Sequence, residues 1–321
     1  MTRNLRGKSV VAVHAHPDDE AIWTGGALAR LAGLGAEVTV VTCTLGEQGE
    51  VIGEPYAHLV AERADQLGGF RIAEWRESLE RLGVRGVFLG GAGKYRDSGM
   101  AGTPAAEHPR AFASSGEEAV VDLAGIFERL RPDLVLTYGP DGGYGHPDHI
   151  RAHEITHAAV QKVWGALAES RPDSAPVVSE PAGERRAEVP GILWAVTLES
   201  ELQAGLGAIE SIPQGWRRAR PGEIACVPEA DLAIEMTPGE AAAKIAAMRA
   251  HATQLWLADG SVSATNPHAA YATLRHPGPA AGVFALSNLI AQPVTWREHY
   301  AVGQGSAEID GERWWEVRPG E

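Results

Sequence analysis

The feature that most constrains the fold is a series of short, apolar, β-branched segments in the first half of the chain, separated by longer segments with helical periodicity. Four of these segments have the length and composition of buried strands; they cover residues 9–13, 37–42, 86–89 and 133–138. Strands that alternate with helices form a parallel sheet with helices on both faces. The sequence therefore predicts an α/β fold with a doubly wound, mostly parallel, Rossmann-like sheet.

The segments between these strands predict helices, and further elements follow near the C-terminus. Apolar residues recur at helical spacing over residues 21–34, 57–67, 74–82, 117–130 and 148–164. Later patterns predict strands over residues 192–198 and 231–236 and a helix over residues 240–254. We divide the chain into a Rossmann-like core (1–165), a surface insertion or loop rich in Pro, Ser, Glu and Ala (166–191), and a C-terminal α/β elaboration packed on the core (192–321).

Composition limits the partners of the chain. Its 321 residues include 28 Lys and Arg against 42 Asp and Glu, which gives a formal net charge of −14, and 44% of them are hydrophobic. That apolar content excludes global disorder. The negative charge disfavours nucleic acid, anionic membrane surfaces and strongly anionic substrates. A neutral or cationic small molecule suits the chain better, and the sequence leaves the oligomeric state open.

Cysteine content and hydropathy indicate the compartment. Cys43 and Cys226 are too few for a disulfide framework or a thiolate metal site, and we expect both to be plain buried thiols in a reducing compartment. The first apolar stretch ends at His14, well short of a signal peptide. No run approaches the ~18 apolar residues of a membrane-spanning helix. We expect a cytoplasmic protein.

Two histidine–aspartate motifs follow two of the predicted strands. The first, HPDDE, covers residues 16–20 after the first strand, and the second, GHPDH, covers residues 145–149 beyond the fourth. In a doubly wound sheet, the loops at the carboxyl ends of the strands meet where the strand order reverses, and ligands bind in that crevice. The two motifs should therefore face each other.

Imidazole and carboxylate groups together favour a borderline divalent metal, and three protein ligands leave a position for a reactive water. His16 and Asp19 can bind one ion from a turn that Pro17 stiffens, and His149 can reach the same ion from the opposite loop. Zn²⁺ is the expected ion, one per chain, and Fe²⁺ suits these donors almost as well. Asp18 is then free to act as a base on the bound water.

Three further histidines are candidates for supporting roles. His14 precedes His16 by two residues on the same strand face, which favours a packed side chain or one that supports a ligand. His153 and His157 follow His149 at helical spacing, and such a pair can bind zinc. Because they compete with the ligands already assigned, we place them on a helix face or in support of the ligands.

At AHPDDE and GHPDH the sequence resembles the LmbE/PIG-L superfamily of zinc-dependent N-acetylglucosaminyl deacetylases. Longer strings resemble the branch of that superfamily that acts in mycothiol biosynthesis; they are TCTLGEQGEVIGE (42–54), ERADQLGGFR (62–71), LGGAGKYRDSGMAGT (89–103), YGPDGGYGHPDH (138–149), KIAAMRAHATQ (244–254) and FALSNLIAQPVTWREHY (284–300). The resemblance covers most of the chain outside the insertion.

The resemblance implies the same three ligands and the same base, and it adds further roles. It implies His146 as a positive group beside the developing oxyanion, Tyr144 as the group that polarises the amide carbonyl, and Asp148 as the residue that orients His146. For substrate binding, it points to charged residues that can each make two directed bonds to sugar hydroxyls; these are Glu47, Arg71 and Asp97.

The implied activity is hydrolysis of a linear amide, the acetamide of 1-(2-acetamido-2-deoxy-α-D-glucopyranosyl)-1D-myo-inositol, which gives glucosaminyl-inositol and acetate. A mycothiol S-conjugate amidase and another N-acetylglucosamine-conjugate deacetylase are alternatives with the same mechanism. A non-catalytic sugar-binding protein is an alternative of another class. A nucleotide-binding Rossmann protein lacks support, because HPDDE replaces a glycine fingerprint after the first strand.

Overall fold

The computed structural model describes residues 4–165 and 188–316. Its centre is a seven-stranded sheet in the order β3-β2-β1-β4-β5-β13-β8, in which β1 to β5 are parallel and β13 runs antiparallel to β5 and β8. The strands of this sheet are β1 (Ser9–His14), β2 (Glu37–Thr42), β3 (Arg85–Phe88), β4 (Leu134–Tyr138), β5 (Gly191–Val196), β8 (Leu232–Glu235) and β13 (Arg297–Gln304). The predicted doubly wound, mostly parallel sheet is confirmed.

Helices cover both faces of the sheet. They are α1 (Asp19–Gly33), α2 (Leu67–Leu82), α3 (Gly116–Leu130), α4 (Pro147–Val160), α5 (Glu199–Ala208) and α6 (Pro238–Ala250). Alternate residues of a strand point to opposite faces. Val10 and Ala12 accordingly pack with α1, α2 and α6, whereas Val11 and Val13 pack with α3 and α4. These two fully buried layers hold β1 and its neighbours rigidly, and with them the loops that follow.

Smaller sheets are formed by the C-terminal half. A four-stranded sheet has the order β7-β12-β11-β9, and β6 pairs with β10. The strands are β6 (Ile209–Ser211), β7 (Arg217–Arg218), β9 (Trp256–Leu257), β10 (Thr273–Leu274), β11 (Ala280–Ala285) and β12 (Ile290–Thr295). Trp216, Val283 and Ala291 belong to a third apolar cluster beneath them. The division into a core and an elaboration remains a prediction, and β5, β8 and β13 extend the sheet of the core.

Some local predictions were wrong. The helix expected at residues 57–67 is a short 3₁₀ helix, Glu54–Leu59, and α2 begins at Leu67 and continues through the segment expected to begin at residue 74. Asp65 has a φ of 51°, a left-handed conformation that ends a helix. Cys43 is buried as expected, but Cys226 is exposed. Most of the predicted insertion, residues 166–187, lies outside the described residues.

None of the helices within residues 4–165 and 188–316 has both the length and the apolar character that crossing a bilayer requires.

Candidate active site

The two motifs meet where the strand order of the large sheet reverses. β1 lies between β2 and β4, so the loop after β1 and the loop after β4 leave the sheet at the same edge. HPDDE turns from β1 into α1, and GHPDH begins α4. This is the crevice expected from the topology.

Three donor atoms, one from each predicted ligand, form a nearly equilateral triangle. His16 Nδ1 lies 3.3 Å from His149 Nε2 and 3.4 Å from Asp19 Oδ2. His149 Nε2 and Asp19 Oδ2 are 3.4 Å apart. Ligand atoms about 2.0–2.1 Å from one tetrahedral ion lie about 3.3–3.4 Å from each other. The spacing therefore fits a single divalent ion.

The remaining ring nitrogens of the two histidines are fixed by oxygen atoms. His149 Nδ1 donates to the carbonyl oxygen of Gly142 at 3.1 Å, which leaves the Nε2 lone pair for the triangle. His16 Nε2 lies 3.3 Å from Asp148 Oδ2 and 3.6 Å from Asp97 Oδ1. A carboxylate or carbonyl behind an imidazole selects the tautomer and ring orientation that a metal needs. Both rings are thus arranged as ligands.

The carboxylates make this site strongly electronegative. Burial opposes the charged form of His16, but Asp97, Asp148 and Asp19 raise its pKa well above the usual value. Burial likewise opposes the charge on Asp19, but His149 and His16 lower the pKa of that carboxyl well below its usual range. A site that holds protons and positive charge this firmly is also suited to a cation.

Asp18 is adjacent to a predicted ligand and has an unusual backbone. Its φ is 114°, a conformation that L-residues rarely adopt. Arg71 Nη2 donates to Asp18 Oδ2 at 2.9 Å, and both side chains border the cavity described below. Burial raises the pKa of Asp18 to about 6 against the lowering effect of Arg71. A carboxylate with that pKa can take up and return a proton near neutral pH.

His146 and Tyr144 border the triangle on the loop after β4. His146 Nδ1 accepts the backbone N–H of Asp148 at 3.1 Å and so caps the N-terminus of α4. A nitrogen that accepts this bond carries no proton, and burial together with the neighbouring His16 and His149 lowers the pKa of His146 to about 3. This hydrogen bond favours a neutral His146 ring with an Nε2–H donor over the predicted positive charge.

Tyr144 is half-exposed, and its ring is nearly perpendicular to that of His149, at a centroid distance of 4.9 Å. Its pKa is raised, first by burial of the hydroxyl and then by the charge of Asp19, so the phenol stays protonated.

The structure places two predicted residues differently from expectation. The carboxylate of Asp148 contacts His16, and only its backbone N–H contacts His146. Glu47 Oε2 accepts the backbone N–H groups of Leu45 and Asp97 at 3.3 and 3.0 Å. Glu47 therefore joins two loops behind the site, whereas the prediction made it a contact to the sugar hydroxyls.

The other histidines lie away from the triangle. His14 Nε2 lies 2.9 Å from the Thr24 hydroxyl within the core. His153 Nδ1 donates to the carbonyl of Tyr138, and His157 Nε2 accepts from the indole of Trp194. These three side chains have the packing roles that we assigned to them.

A cavity of about 600 Å³ opens beside the triangle. Residues of the two motifs and nearby loops border it, and so do residues of the C-terminal half. The first group includes His16, Asp18, Asp19, Gln48, Arg71, Asp97, Tyr144 and His146. The second group includes Leu198, Leu202, Gln254, Phe284, Asn288, Ile290, Gln292 and Arg297.

Sequence reasoning missed several residues around the site. The Tyr138 ring stacks on His149 at a centroid distance of 4.1 Å, and its hydroxyl accepts the backbone N–H of Ala15. Glu20 and His251 form a buried pair behind Asp18. Glu20 belongs to the HPDDE string, but nothing in that string indicates the partner of its side chain.

Comparison with known proteins identifies the family of the chain. Residues 11–160 match the family described as "PIG-L: GlcNAc-PI de-N-acetylase". The chain is 60% identical over 304 residues to the 1D-myo-inositol 2-acetamido-2-deoxy-alpha-D-glucopyranoside deacetylase of Corynebacterium diphtheriae, with 95% of this chain and 96% of that protein covered. A protein of the same name from Corynebacterium efficiens is 59% identical over 304 residues, with 95% and 90% covered.

Among solved structures, the N,N'-diacetylchitobiose deacetylase from Pyrococcus horikoshii aligns with a TM-score of 0.47 and 20% identity, covering 77% of this chain and 70% of that one. The family match and the long, highly identical alignments confirm the membership predicted from the two motifs: this chain belongs to the PIG-L family of GlcNAc-PI de-N-acetylases.

Proposed function

We propose that the protein is a metal-dependent deacetylase that hydrolyses the acetamide of 1-(2-acetamido-2-deoxy-α-D-glucopyranosyl)-1D-myo-inositol to glucosaminyl-inositol and acetate in mycothiol biosynthesis. The observation that carries the proposal is the triangle of His16, Asp19 and His149 beside a buried carboxylate in a cavity. Relatives at 59–60% identity bear the name of this activity. The cytoplasm, predicted from sequence, is the proposed compartment.

The three donors are proposed to hold one Zn²⁺ or Fe²⁺ per chain. When bound, such an ion polarises a carbonyl oxygen and lowers the pKa of a coordinated water toward ~7. His16 and His149 present neutral nitrogens to it because Asp148 and Gly142 bind their other ring atoms. Asp19 is held in place by the backbone N–H of His16, which donates to Oδ2 at 2.9 Å.

Asp18 is the proposed general base. Arg71 occupies its Oδ2, so we assign proton removal from the attacking water to Oδ1. The same carboxyl can later protonate the departing sugar amine, because a pKa of about 6 allows both proton uptake and release near neutral pH. Acetate and the free amine are then the products.

His146 and Tyr144 are the proposed donors to the developing oxyanion. The Nε2–H of His146 is available because its Nδ1 accepts from Asp148. The Tyr144 phenol stays protonated and lies in the same loop, bounded by Gly143 and Gly145 with positive φ. Fixed donors that meet charge only in the transition state lower the barrier selectively.

Substrate binding is proposed in the part of the cavity beside the triangle. Asp97 and Arg71 border it and are the retained candidates for contacts to sugar hydroxyls. Glu47 then acts indirectly, because its carboxylate accepts a hydrogen bond from the backbone N–H of Asp97 and so holds Asp97 in place. The inositol ring would occupy the adjoining space, where it can hold the acetamide against the catalytic groups.

The proposal is tested by comparing three compounds on one metal-loaded preparation with an assay for released amine. We expect kcat/KM for N-acetylglucosaminyl-inositol to exceed the values for N-acetylglucosamine and for a mycothiol S-conjugate. A preference for the conjugate would indicate the amidase instead, and equal activity on the monosaccharide would remove inositol from recognition. Sugar binding with no turnover of any of the three compounds would indicate a non-catalytic binding protein.

A further inference from the structure

Glu20, the last residue of HPDDE, is fully buried and is approached by three donors. Its Oε2 accepts the backbone N–H of Asp18 at 3.0 Å. Its Oε1 accepts the Ser78 hydroxyl from α2 and the His251 Nε2 proton at 2.7 Å. Glu20, Ser78 and His251 are each 0% exposed. The carboxylate therefore connects Asp18 to α2 and to the residue that follows α6.

The side chain of His251 contacts Glu20 through Nε2. Its Nδ1 has no hydrogen-bond partner within the part of the chain that the structure describes. Within the described residues, the polar contact of its Nε2 is with Glu20. A buried carboxylate needs a hydrogen-bonding counter-group, because removing one partner leaves an uncompensated charge. His251 supplies that group to Glu20.

The position of His251 is itself fixed from α2. Two residues further on, Thr253 donates to both oxygens of Glu74, at 2.8 Å from its backbone N–H and 2.6 Å from its hydroxyl. The next residue, Gln254, borders the cavity and donates to the carbonyl of Glu50 at 3.0 Å. The segment after α6 thus has little freedom to shift relative to Glu20.

The contacts of Glu20 hold the backbone of Asp18 in place. The Asp18 φ of 114° is disfavoured for an L-residue and persists only where the surroundings hold it. Arg71 binds its carboxylate, Glu20 binds its backbone N–H, and two N–H groups of α1 bind its carbonyl oxygen. If the contact to Glu20 were lost, the peptide before the carbonyl could relax toward a common conformation and turn the carboxylate away from the cavity.

We propose that Glu20 and His251 are positioning residues for amide hydrolysis, and that they hold the backbone of Asp18 in the conformation that presents its carboxylate to the substrate. This inference rests on the proposed function, since it assigns Asp18 as the base. Neither residue belongs to the donor triangle, and neither is among the described residues that border the cavity.

The test compares His251→Leu, which removes the donor, with His251→Gln, whose amide can replace the Nε2 donor. His251→Leu should lower kcat by about 10- to 100-fold, as expected for a misplaced catalytic group, with KM and metal content unchanged. His251→Gln should restore most of the rate. His157→Leu is the matched control, because it removes a half-buried histidine that contacts Trp194 away from the site, and it should leave kcat unchanged.

A double-mutant cycle separates positioning from general damage to the fold. In an Asp18→Asn background, His251→Leu should cause little further loss of kcat, because the group it positions is already inactive. If His251→Leu lowered kcat by the same factor in both backgrounds, or left kcat at the wild-type value, the inference would be overturned. If His251→Leu does not fold, Ser78→Ala removes a milder contact to Glu20 and should give a smaller loss that also disappears in the Asp18→Asn background.

Amide hydrogen exchange of a peptide covering residues 16–20 provides a readout independent of turnover. Exchange should be faster in His251→Leu than in wild type and near wild type in His251→Gln. Unchanged exchange in His251→Leu would also overturn the inference. A wild-type protein without turnover would contradict the proposed function, while the exchange result would still decide whether His251 anchors the Asp18 backbone.

Discussion

Arg71 and Asp18 form a buried ion pair between α2 and the turn after β1, with 2.9 Å between Nη2 and Oδ2. The same guanidinium donates to the carbonyl of Pro17 and, through Nη1, to that of Gly46 at 2.8 Å. Arg71 therefore fixes the orientation of the proposed base as well as bordering the cavity. Its charge limits how far burial can raise the pKa of Asp18, which is about 6.

Asp18→Asn should retain the metal and lose about 10² to 10⁴ in kcat, the usual contribution of a general base. The amide keeps the shape of the side chain but cannot take a proton. Metal content and kcat should be measured on one preparation. Normal turnover in this variant would show that another group removes the proton, with His146 the next candidate.

Substitution of any one of His16, Asp19 and His149 by Ala should weaken metal binding and abolish activity together, because only three protein donors form the triangle. Elemental analysis of each variant beside a steady-state assay checks this expectation. His14→Ala is a suitable comparison, since His14 contacts Thr24 in the core and should leave metal stoichiometry unchanged in the folded fraction. Full metal occupancy in His149→Ala would contradict the assignment.

Gly46→Ala should lower kcat by displacing Arg71. Gly46 has a φ of 66°, and a Cβ there would lie 2.0 Å from Arg71 Nη1. Gly69→Ala on α2 is the matched control, because a Cβ at Gly69 meets no atom within 4 Å. Alanine is favoured over glycine inside a helix by about 1 kcal/mol, so the control should fold at least as stably as wild type. Equal kcat values in the two variants would argue against a role for Arg71 in holding Asp18.

Glu298→Ala should destabilise the fold by about 3–5 kcal/mol, the usual effect of removing one partner of a buried ion pair. Glu298 accepts the backbone N–H groups of Gly26 and Ala27 at 2.7 and 2.8 Å, and Lys244 Nζ at 2.6 Å. Its loss takes a carboxylate away from two N–H groups in the middle of α1 and leaves Lys244 without its charge partner. Urea unfolding of the metal-free protein measures the change.

The control for Glu298 is Glu37→Ala, which breaks an exposed pair with Arg85. Exposed pairs contribute at most about 1 kcal/mol, so the control should unfold nearly as wild type does. A change in Glu298→Ala no larger than in the control would contradict the account of α1.

The sequence could predict the parts of the site that depend on topology. Two motifs at the ends of parallel strands must converge where the strand order reverses, so the proximity of His16 and His149 follows from the order of elements. The contacts of Asp148 could not be predicted in this way. The free N–H groups of the first turn of α4 attract His146 Nδ1, which leaves the carboxylate of Asp148 to contact His16.

Contacts between residues distant in sequence were also beyond prediction. Arg71 was predicted as a sugar contact, but its bond to Asp18 was not. His251 and Glu298 were not predicted at all, because only tertiary packing brings the segment after α6 and β13 to α1. Charged residues are usually exposed, so a pattern analysis assigns them to the surface. The strands β11 and β12 were also missed. Their buried residues are divided between two clusters, with Val283 and Ala291 in the third cluster and Phe284 and Val294 in the core of the main sheet.

The central claim is that one ion held by His16, Asp19 and His149 supports amide hydrolysis. The most direct test is a titration of chelator-treated protein with Zn²⁺, and with Fe²⁺ in the absence of oxygen, while acetate release from N-acetylglucosaminyl-inositol is followed. We predict no activity in the metal-free protein, a linear rise to one equivalent per chain, and no rise in His149→Ala. Undiminished activity without metal, or full activity reached only at two equivalents, would contradict the claim.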